Sequence, residues 1–234
     1  MEEYKLHLGD CLDVLPTIAS GSVDMILTDP PYGIGFLSNW TTHQAKIAND
    51  GFDEWLELLP LWLAEMRRVL TPQGCCCCCC GGGGGGGKTP VTALFTIEAI
   101  KHFNLIQTLV WRKFIGLGWR YRPSYENIVV LCKDKNDYNF FDETKKCSNV
   151  IEGINQEIPQ NGDHPTVKPQ RLMERLVHIH TQPGMTICDP FMGSGTTGVA
   201  ALELGRNFIG IELDEKYFKI AQKRISQRQN RLFI

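Results

Sequence analysis

The chain has 234 residues, of which 43% are hydrophobic and 21% charged, a composition that predicts one globular domain with a full-sized core. Its formal net charge of -2 excludes a basic field over the whole molecule, so any nucleic-acid binding must use a local patch. The start, MEEYKLHLGD, lacks an apolar core segment, and the long apolar stretch LELLPLWLAEM is broken by Glu57, Pro60 and Glu65. We therefore expect a soluble, cytoplasmic protein without membrane association.

Strand-like runs alternate with amphipathic stretches along the chain, which predicts an α/β fold with a largely parallel sheet. The predicted strands are YKLHL, VDMILTD, LIQTLVW, YENIVVLCK, MTICD and NFIGIEL, in chain order. A helix that TPQG ends is predicted over 53–70, with a buried face of Trp55, Leu59, Leu63, Met66 and Leu70 at helical spacing. Further helices are predicted at about 91–102, at 170–181 and from about 214 toward 229.

The alternation requires a strand after the first of these helices, but the sequence there has six cysteines, residues 75–80, and seven glycines, residues 81–87. This run matches no metal or disulfide motif. Low-complexity sequence of this kind is predicted not to specify a packed strand, and we expect it to leave that part of the sheet unfilled. An artificial stretch is the preferred interpretation, and chelation of a soft metal is the alternative.

The segment MTICDPFMGSGTTGVAALELG has the pattern of a strand, an acidic turn, a glycine-rich loop and a helix. Gly193 and Gly195 leave backbone amides open to an anion or a carboxylate, and Thr196 and Thr197 are predicted to cap the helix. The next strand ends in Glu212, where a carboxylate can accept hydrogen bonds from both hydroxyls of a ribose. The loop alone is also compatible with a dinucleotide or an ordinary tight turn.

Asp189 and Pro190 precede this GxGxxG spacing and argue against a dinucleotide. A carboxylate at the strand tip would repel a pyrophosphate and attract an ammonium group. A ligand with a carboxylate, an ammonium and a ribose, and without phosphate, fits S-adenosyl-L-methionine.

A second motif, TDPPYG, ends the predicted strand VDMILTD with Asp29, Pro30, Pro31 and Tyr32. The prolines stop the strand and hold the next residues rigidly extended. Asp29 and the Pro30 carbonyl can accept the two N–H bonds of a planar amine while Tyr32 stacks on its ring. Two acceptors below the nitrogen aim its lone pair at an electrophile such as a sulfonium methyl group. A proline-stiffened turn without a catalytic role is the alternative.

DPPY, followed downstream by HPTVKP, DPFMGSGTT and GIELD, closely resembles the permuted (β-class) DNA amino-methyltransferases of bacteria and phages. The resemblance runs from LHLGDCLDVL to the final helix and leaves out mainly residues 133–163 and the cysteine and glycine run. It implies one catalytic domain over residues 1–234 with a circularly permuted, Rossmann-like S-adenosylmethionine-dependent methyltransferase fold. That fold has a mostly parallel seven-stranded sheet with helices on both faces.

The resemblance also implies roles by position. The catalytic motif would be Asp29, Pro30, Pro31 and Tyr32. The cofactor would be bound by Asp10, Cys11, Asp29, His164, Thr166, Lys168, Asp189, Pro190, Phe191, Gly193, Gly195, Thr196, Thr197 and Glu212, with the HPTVKP residues near its carboxylate. Simple turns or a proline-flanked helix start are alternatives for Asp10, Cys11 and HPTVKP.

The segment LVWRKFIGLGWRYRPSYENIVV interleaves cations with aromatic rings, as expected of a nucleic-acid groove, although a solvated hairpin with aromatics in the core is the alternative. The candidate contacts to double-stranded DNA are Arg112, Lys113, Arg120, Arg122 and, in the loop after the catalytic motif, Trp40. Polar residues 133–163 are a short insertion and a candidate target-recognition segment. A solvated helix face is predicted for Lys216, Lys219, Lys223 and Arg224.

The leading hypothesis is a site-specific DNA adenine-N6 methyltransferase, because Asp in the first position of the motif favours adenine by family resemblance. The alternatives are a cytosine-N4 methyltransferase, where Ser is more usual, an RNA or protein amide methyltransferase, where Asn is typical, and an inactive cofactor-binding protein. No metal is expected. A homodimer and a cognate restriction endonuclease are candidate partners that the sequence does not specify.

Overall fold

The computed structural model describes residues 3–32, 51–80, 90–113, 124–144, 146–155 and 167–232. The strands in these ranges are β1 (Tyr4–Leu8), β2 (Val23–Thr28), β3 (Leu70–Cys80), β4 (Asn104–Arg112), β5 (Tyr125–Cys132), β6 (Val150–Ile151), β7 (Thr186–Asp189) and β8 (Asn207–Glu212). The α-helices are α1 (Cys11–Val14), α2 (Phe52–Val69), α3 (Val91–Ala99), α4 (Gln170–His180), α5 (Thr196–Glu203) and α6 (Glu215–Leu232). All six predicted strands and four predicted helices are confirmed, with ends shifted by a few residues.

The strands form one sheet in the order β1-β8-β7-β2-β3-β5-β4-β6. Only β5 runs against the others, since its pairings with β3 and β4 are antiparallel and the remaining pairings are parallel. The mostly parallel, Rossmann-like fold is therefore confirmed. The described sheet has eight strands where seven were expected, because Val150 and Ile151 of the polar segment 133–163 pair with Val110 and Trp111.

Helices cover both faces of the sheet and bury two cores. α1, α2 and α3 pack on one face, where Trp55, Leu59 and Trp62 are buried. α4, α5 and α6 pack on the other face with residues such as Leu176 and Phe208. Each helix buries the face on which its apolar residues recur. Because most of the strands are parallel, their carboxyl ends, with the polar residues that follow them, lie at one edge of the sheet.

The cysteine run forms most of β3, contrary to the expectation that it would leave the sheet unfilled. Residues 75–78 pair with β2 and residues 75–80 pair with β5, and all six thiols are buried. Side chains alternate across the strand, so Cys76 and Cys78 join the first core and Cys77 and Cys79 the second. A thiol is a small apolar group, and a strand buried on both faces requires a continuous apolar run, which six cysteines provide.

The prediction that the first helix ends at TPQG is confirmed, and TPQG itself lies within a strand. α2 ends at Val69 and the chain enters β3 directly at Leu70. The pairing register changes from Val23–Leu70 to Met25–Cys75, so residues 71–74 form an irregularity within the strand. The glycines 81–87 lie outside the described residues.

We predict that Cys77→Ser lowers the free energy of unfolding by about 1–3 kcal/mol, because it buries a hydroxyl in an apolar core. Chemical denaturation of the reduced protein measures this change. Cys147→Ser is the matched control, since Cys147 is exposed and its replacement is expected to change stability by less than about 0.5 kcal/mol. Equal stability of the two variants would show that the cysteine strand does not pack as described.

Candidate functional site

The site lies between the neighbouring strands β7 and β2, the point at which the chain connections change direction across the sheet. From β7 the chain passes through α5 to β8 on one side, and from β2 it passes through α2 to β3 on the other. The two crossover helices cover opposite faces of the sheet. In open α/β sheets a ligand crevice forms at the carboxyl ends of the strands at such a point.

Acidic side chains stand at this edge because parallel strands bring their carboxyl ends together. Asp29 follows β2, Asp189 ends β7, Glu212 ends β8 and Asp10 follows β1. The structure thus brings together the four carboxylates that the sequence predicted from two separate motifs and the first turn.

Asp29 makes hydrogen bonds through both carboxylate oxygens. Oδ2 accepts from Lys168 Nζ at 2.6 Å, and Oδ1 accepts from the hydroxyl of Tyr32. Lys168 Nζ also lies 3.2 Å from Tyr32 Oη and 5.7 Å from the centre of the Tyr32 ring. Burial raises the pKa of Asp29, and the Lys168 ammonium opposes that rise.

The ammonium group of Lys168 lies between the carboxylates of Asp29 and Glu126. Its Nζ lies 3.4 Å from Glu126 Oε2 as well as 2.6 Å from Asp29 Oδ2, and its side chain is only 8% exposed. Burial alone would lower the pKa of Lys168, but Asp29 and then Glu126 raise it well above its ordinary value, so Lys168 is charged. The sequence placed Lys168 near the carboxylate of a cofactor, and the structure places it against the DPPY motif.

Sequence reasoning missed Glu126, the second residue of β5. Its Oε1 accepts from Lys113 Nζ, and its pKa is lowered by Lys168 and Lys113 against the opposing effect of burial. A lone acid at the start of the apolar run ENIVVLC was the available signal. Lys113, a predicted DNA contact, is therefore engaged with a buried carboxylate, whereas Arg112 is 68% exposed and pairs with Glu152 at 2.7 Å.

Thr28 and Asp189 connect the two strands at the reversal point. Thr28 Oγ1 donates to Asp189 Oδ1 at 2.6 Å, and the same oxygen accepts from the Phe191 amide at 3.1 Å. Burial is the main cause that raises the pKa of Asp189 to about 6. The buried carboxylate stabilises the acidic turn before the glycine-rich loop.

The glycine-rich loop turns back toward β8. The Gly193 amide donates to Glu212 Oε2 at 2.7 Å, so the loop and the predicted ribose-binding acid are in direct contact. Gly193 and Gly195 have φ values of 53° and 81°, in the left-handed region that favours glycine. A Cβ atom on Gly195 would also lie 3.0 Å from the Cβ of Ala221 on α6.

Thr196 and Thr197 do not cap α5, contrary to the sequence prediction. The N-cap is Gly195, and the two threonines lie inside the first turn. Thr196 Oγ1 accepts from Arg224 Nη1 at 3.3 Å, and Thr197 Oγ1 donates to Met173 Sδ of α4 at 3.9 Å. The hydroxyls therefore link α5 to its neighbours.

Arg224 of α6 holds the loop from outside, although its basic stretch was expected to be a solvated helix face. Its Nη1 donates to the Ser194 carbonyl at 2.7 Å, to Ser194 Oγ at 2.9 Å and to Thr196 Oγ1. Lys219 and Lys223 of the same helix are exposed, as predicted. Helical spacing alone cannot show which cation of a basic stretch meets a backbone carbonyl.

The remaining predicted residues occupy varied places. Asp10 caps α1 by accepting from the Leu12 amide at 2.8 Å, and Cys11 is buried beside it. Pro190 is buried, and the Phe191 ring meets Trp62 edge to face at 4.9 Å. Five predicted contacts lie outside the described residues: Trp40, Arg120, Arg122, His164 and Thr166.

A reversal point lined by strand-tip acids and a glycine-rich loop, in a sheet with this strand order, defines a Rossmann-like methyltransferase domain. In the described ranges, no group of three or more His, Cys, Asp or Glu side chains is arranged to hold a metal. No helix of the described residues has the length and apolarity to span a membrane.

Comparison with known proteins gives the family. Residues 23–223 match the family described as DNA methylase (N6_N4_Mtase). The chain is 30% identical over 249 residues to the DNA adenine methyltransferase YhdJ of Escherichia coli K12, covering 93% of this chain and 81% of YhdJ. The protein belongs to this DNA methylase family and is a DNA methyltransferase of the N6/N4 type.

Solved structures share the fold. The crystal structure of M1.HpyAVI in complex with SAM matches with a TM-score of 0.71 and 27% identity, covering 95% of this chain and 98% of M1.HpyAVI. The cytosine-N4-specific PvuII DNA methyltransferase matches with a TM-score of 0.77, covering 98% of this chain and 92% of its own. At 18% identity the second likeness shows the fold alone.

We predict that Asp189→Asn raises the free energy of unfolding at pH 7.5 by up to about 3 kcal/mol. The folded protein binds the Asp189 proton more tightly than the unfolded chain does. The stability from this group is therefore complete below the unfolded pKa and is lost as pH rises through about 6. The amide stays neutral and can still accept from Thr28.

Denaturation at pH 7.5 and at pH 4 measures this effect. The advantage of Asp189→Asn over the unsubstituted protein is expected to disappear near pH 4, where both side chains are neutral. A variant that is less stable at pH 7.5 would contradict the assignment of a buried, costly charge at this position.

We predict that Arg224→Ala speeds amide hydrogen exchange in residues 193–196 by about tenfold, because the loop loses hydrogen bonds to three oxygens of Ser194 and Thr196. Exchange followed by mass spectrometry measures the change. Lys219→Ala is the matched control on the same helix, since Lys219 pairs with Glu215 at the surface. Unchanged exchange in Arg224→Ala would show that Arg224 does not hold the loop.

Proposed function

We propose that this protein transfers a methyl group from S-adenosyl-L-methionine to the N6 amine of an adenine flipped out of double-stranded DNA. The observation that carries this proposal is the position of Asp29. Its half-buried carboxylate stands at the reversal point of the sheet, beside the tip of the strand that leads into the glycine-rich loop. A hydrogen-bond acceptor and a loop for a nucleoside cofactor thus meet at one edge.

The site has the chemical groups that S-adenosyl-L-methionine requires. Glu212 offers a carboxylate for ribose hydroxyls, and Asp189 offers a negative charge near the loop, where an ammonium group is favoured and a pyrophosphate is not. Phe191 and the residues around Asp10 lie at the same edge. The solved complex of M1.HpyAVI with SAM supports the proposal. When bound, the cofactor supplies an electrophilic methyl group on a sulfonium.

The described side chains account for orientation of the target amine. Asp29 Oδ1 accepts a hydrogen bond from the Tyr32 hydroxyl in this structure, and an exocyclic N–H would take that position. The lone pair of the amine forms the new N–C bond while the electrons of the C–S bond remain on sulfur. Asp29 accepts the proton that the methylated nitrogen loses, and Tyr32 supplies a ring on which the base stacks.

Adenine is proposed as the target base for two reasons. The motif begins with Asp29, and YhdJ, which is 30% identical, is named a DNA adenine methyltransferase. The chemistry of the site also suits the N4 amine of cytosine, and PvuII methyltransferase has the same fold. The base is therefore the first outcome that an experiment must decide.

Contacts to DNA are proposed for exposed groups around the site. Arg112 is exposed at the end of β4, on the same edge of the sheet as Asp29, and its pairing with Glu152 lies at the surface. Residues 133–163 are proposed to contribute to target recognition, and β6 anchors their middle to the sheet. A homodimer and a cognate endonuclease are further proposals, which size measurement and co-purification would test.

The decisive experiment uses isotopically labelled S-adenosyl-L-methionine and unmodified duplex DNA, followed by digestion to nucleosides and mass spectrometry. We predict labelled N6-methyladenine from the unsubstituted protein and a loss of at least about 100-fold in rate for Asp29→Ala, because the acceptor for the amine is removed. If the labelled product is N4-methylcytosine, the target base is cytosine and the proposal of adenine is wrong.

The control is Asp53→Ala in the exposed first turn of α2, which is expected to leave the rate unchanged. Calorimetry with S-adenosyl-L-methionine shows in parallel whether Asp29→Ala still binds the cofactor. Cofactor binding without label in any nucleoside of the DNA would overturn the proposed reaction.

A further inference from the structure

Four charged side chains form an alternating row behind the catalytic motif. Asp29 pairs with Lys168, Lys168 pairs with Glu126, and Glu126 pairs with Lys113. The inner two, Lys168 and Glu126, are 8% and 14% exposed, whereas Asp29 and Lys113 at the two ends of the row are 24% and 23% exposed. Charges buried in this way are retained only when each meets a partner of the opposite sign.

The position of Glu126 follows from the direction of β5. All neighbouring strands end at the catalytic edge, but β5 is antiparallel and begins there. Its second residue therefore stands at the same edge as the carboxyl end of β2, from which β3 separates it in the sheet. The polar residue occurs at the point of β5 where a side chain can reach Lys168.

Glu126 changes the electrostatic field around Asp29, because it offsets part of the Lys168 charge. Asp29 and Lys168 alone form a neutral pair, which offers little attraction to a nitrogen that becomes positive during methyl transfer. With Glu126 in place, the Lys168 ammonium is shared between two carboxylates and neutralises Asp29 less completely, while Lys113 contacts the other oxygen of Glu126. Glu126 also holds Lys168 at a second point, so the ammonium cannot move fully onto Asp29.

We propose that Glu126 is a positioning residue for methyl transfer, which acts through Lys168 to fix the orientation and the charge of Asp29. This inference rests on the proposed function, because it concerns the same carboxylate. Glu126 lies outside the DPPY motif and, by this proposal, adds a function that the motif residues do not supply. Glu126 contacts Lys168 and not the substrates, and its effect reaches the reaction through that one ammonium group.

The pH dependence tests the inference with a definite sign. The charged and titratable groups that face Asp29 are Lys168, Tyr32, Glu126, Cys79 and Cys80 of β3, and Asp189 of β7, with Lys113 behind Glu126. Glu126 raises the pKa of Asp29 and Lys168 lowers it. Removing the Glu126 charge therefore lowers that pKa, and the acidic limb of the rate profile moves to lower pH.

The experiment compares the pH profile of kcat for labelled methyl transfer in the unsubstituted protein and in Glu126→Gln. We predict a kcat about 10- to 100-fold lower, a KM for S-adenosyl-L-methionine within about twofold, and an acidic limb at lower pH. A change that merely loosened the fold would lower kcat without moving the limb. An unmoved limb, or an unchanged kcat, would overturn the role of Glu126.

A measurement without substrate separates this proposal from the proposed reaction. In protein labelled with carbon-13 at aspartate carboxyl groups, the Asp29 resonance is identified by its loss in Asp29→Asn, and its titration is followed by NMR. We predict a lower midpoint in Glu126→Gln than in the unsubstituted protein. If the protein transfers no label to DNA, the proposed function fails, while the NMR midpoint still decides whether Glu126 controls Asp29.

Two further variants serve as controls. Glu126→Asp keeps the charge on a shorter side chain and is expected to restore most of the pH profile. Glu98→Gln removes a carboxylate from an α3 surface pair with Lys101 and is expected to leave both profiles unchanged. If Glu126→Gln does not fold, as judged by thermal unfolding, Glu126→Asp decides alone. An Asp29 midpoint in Glu126→Asp below that of the unsubstituted protein would overturn the requirement for charge.

Discussion

The hydrogen bond from Thr28 to Asp189 joins the two strands on which the whole site depends. These strands lie side by side in the sheet, yet the chain leaves them in opposite directions, toward β8 and toward β3. The crevice between their ends exists because the two crossover helices lie on opposite faces. Holding the two tips together keeps the glycine-rich loop and the DPPY motif side by side, at the cost of burying a carboxylate.

Charge burial at this edge is balanced by neighbours from distant parts of the chain. Asp29 receives the Lys168 ammonium from 139 positions away, and the loop before α5 is held by Arg224 from the last helix. Neither partner could be selected from local pattern. The site is therefore a property of the finished sheet, and each motif alone lacks the groups that stabilise its charges.

The sequence predicted those site residues whose position follows from the neighbouring residues in the chain. Asp29, Asp189 and Glu212 each follow an apolar run, so a parallel sheet places them at one edge without further knowledge. Glu126 was not predicted as a site residue because it lies near the start of its strand. Nothing in the residues of β5 shows that this strand runs in the opposite direction to its neighbours. Thr196 was assigned as a helix cap because hydroxyls favour that place, but the helix began one residue earlier than a threonine cap requires.

The cysteine strand shows how position in the sheet can override composition. A run without alternation or β-branched residues carries no local preference for a strand, and it was expected to leave a gap. Its neighbours β2 and β5 offer hydrogen-bonding edges on both sides, and two helical layers require only small apolar groups between them. Backbone pairing and burial therefore decide the structure of this segment.

The reversed strand β5 has a consequence for which residues can meet at this edge. Parallel strands bring only their last residues to the edge, whereas β5 is antiparallel to β3 and β4 and brings its first residues there. Glu126 near the start of β5 can therefore share the Lys168 ammonium with Asp29, which follows the end of β2. A single antiparallel strand thus adds a second source of charged side chains to an edge that a fully parallel sheet would supply from strand ends alone.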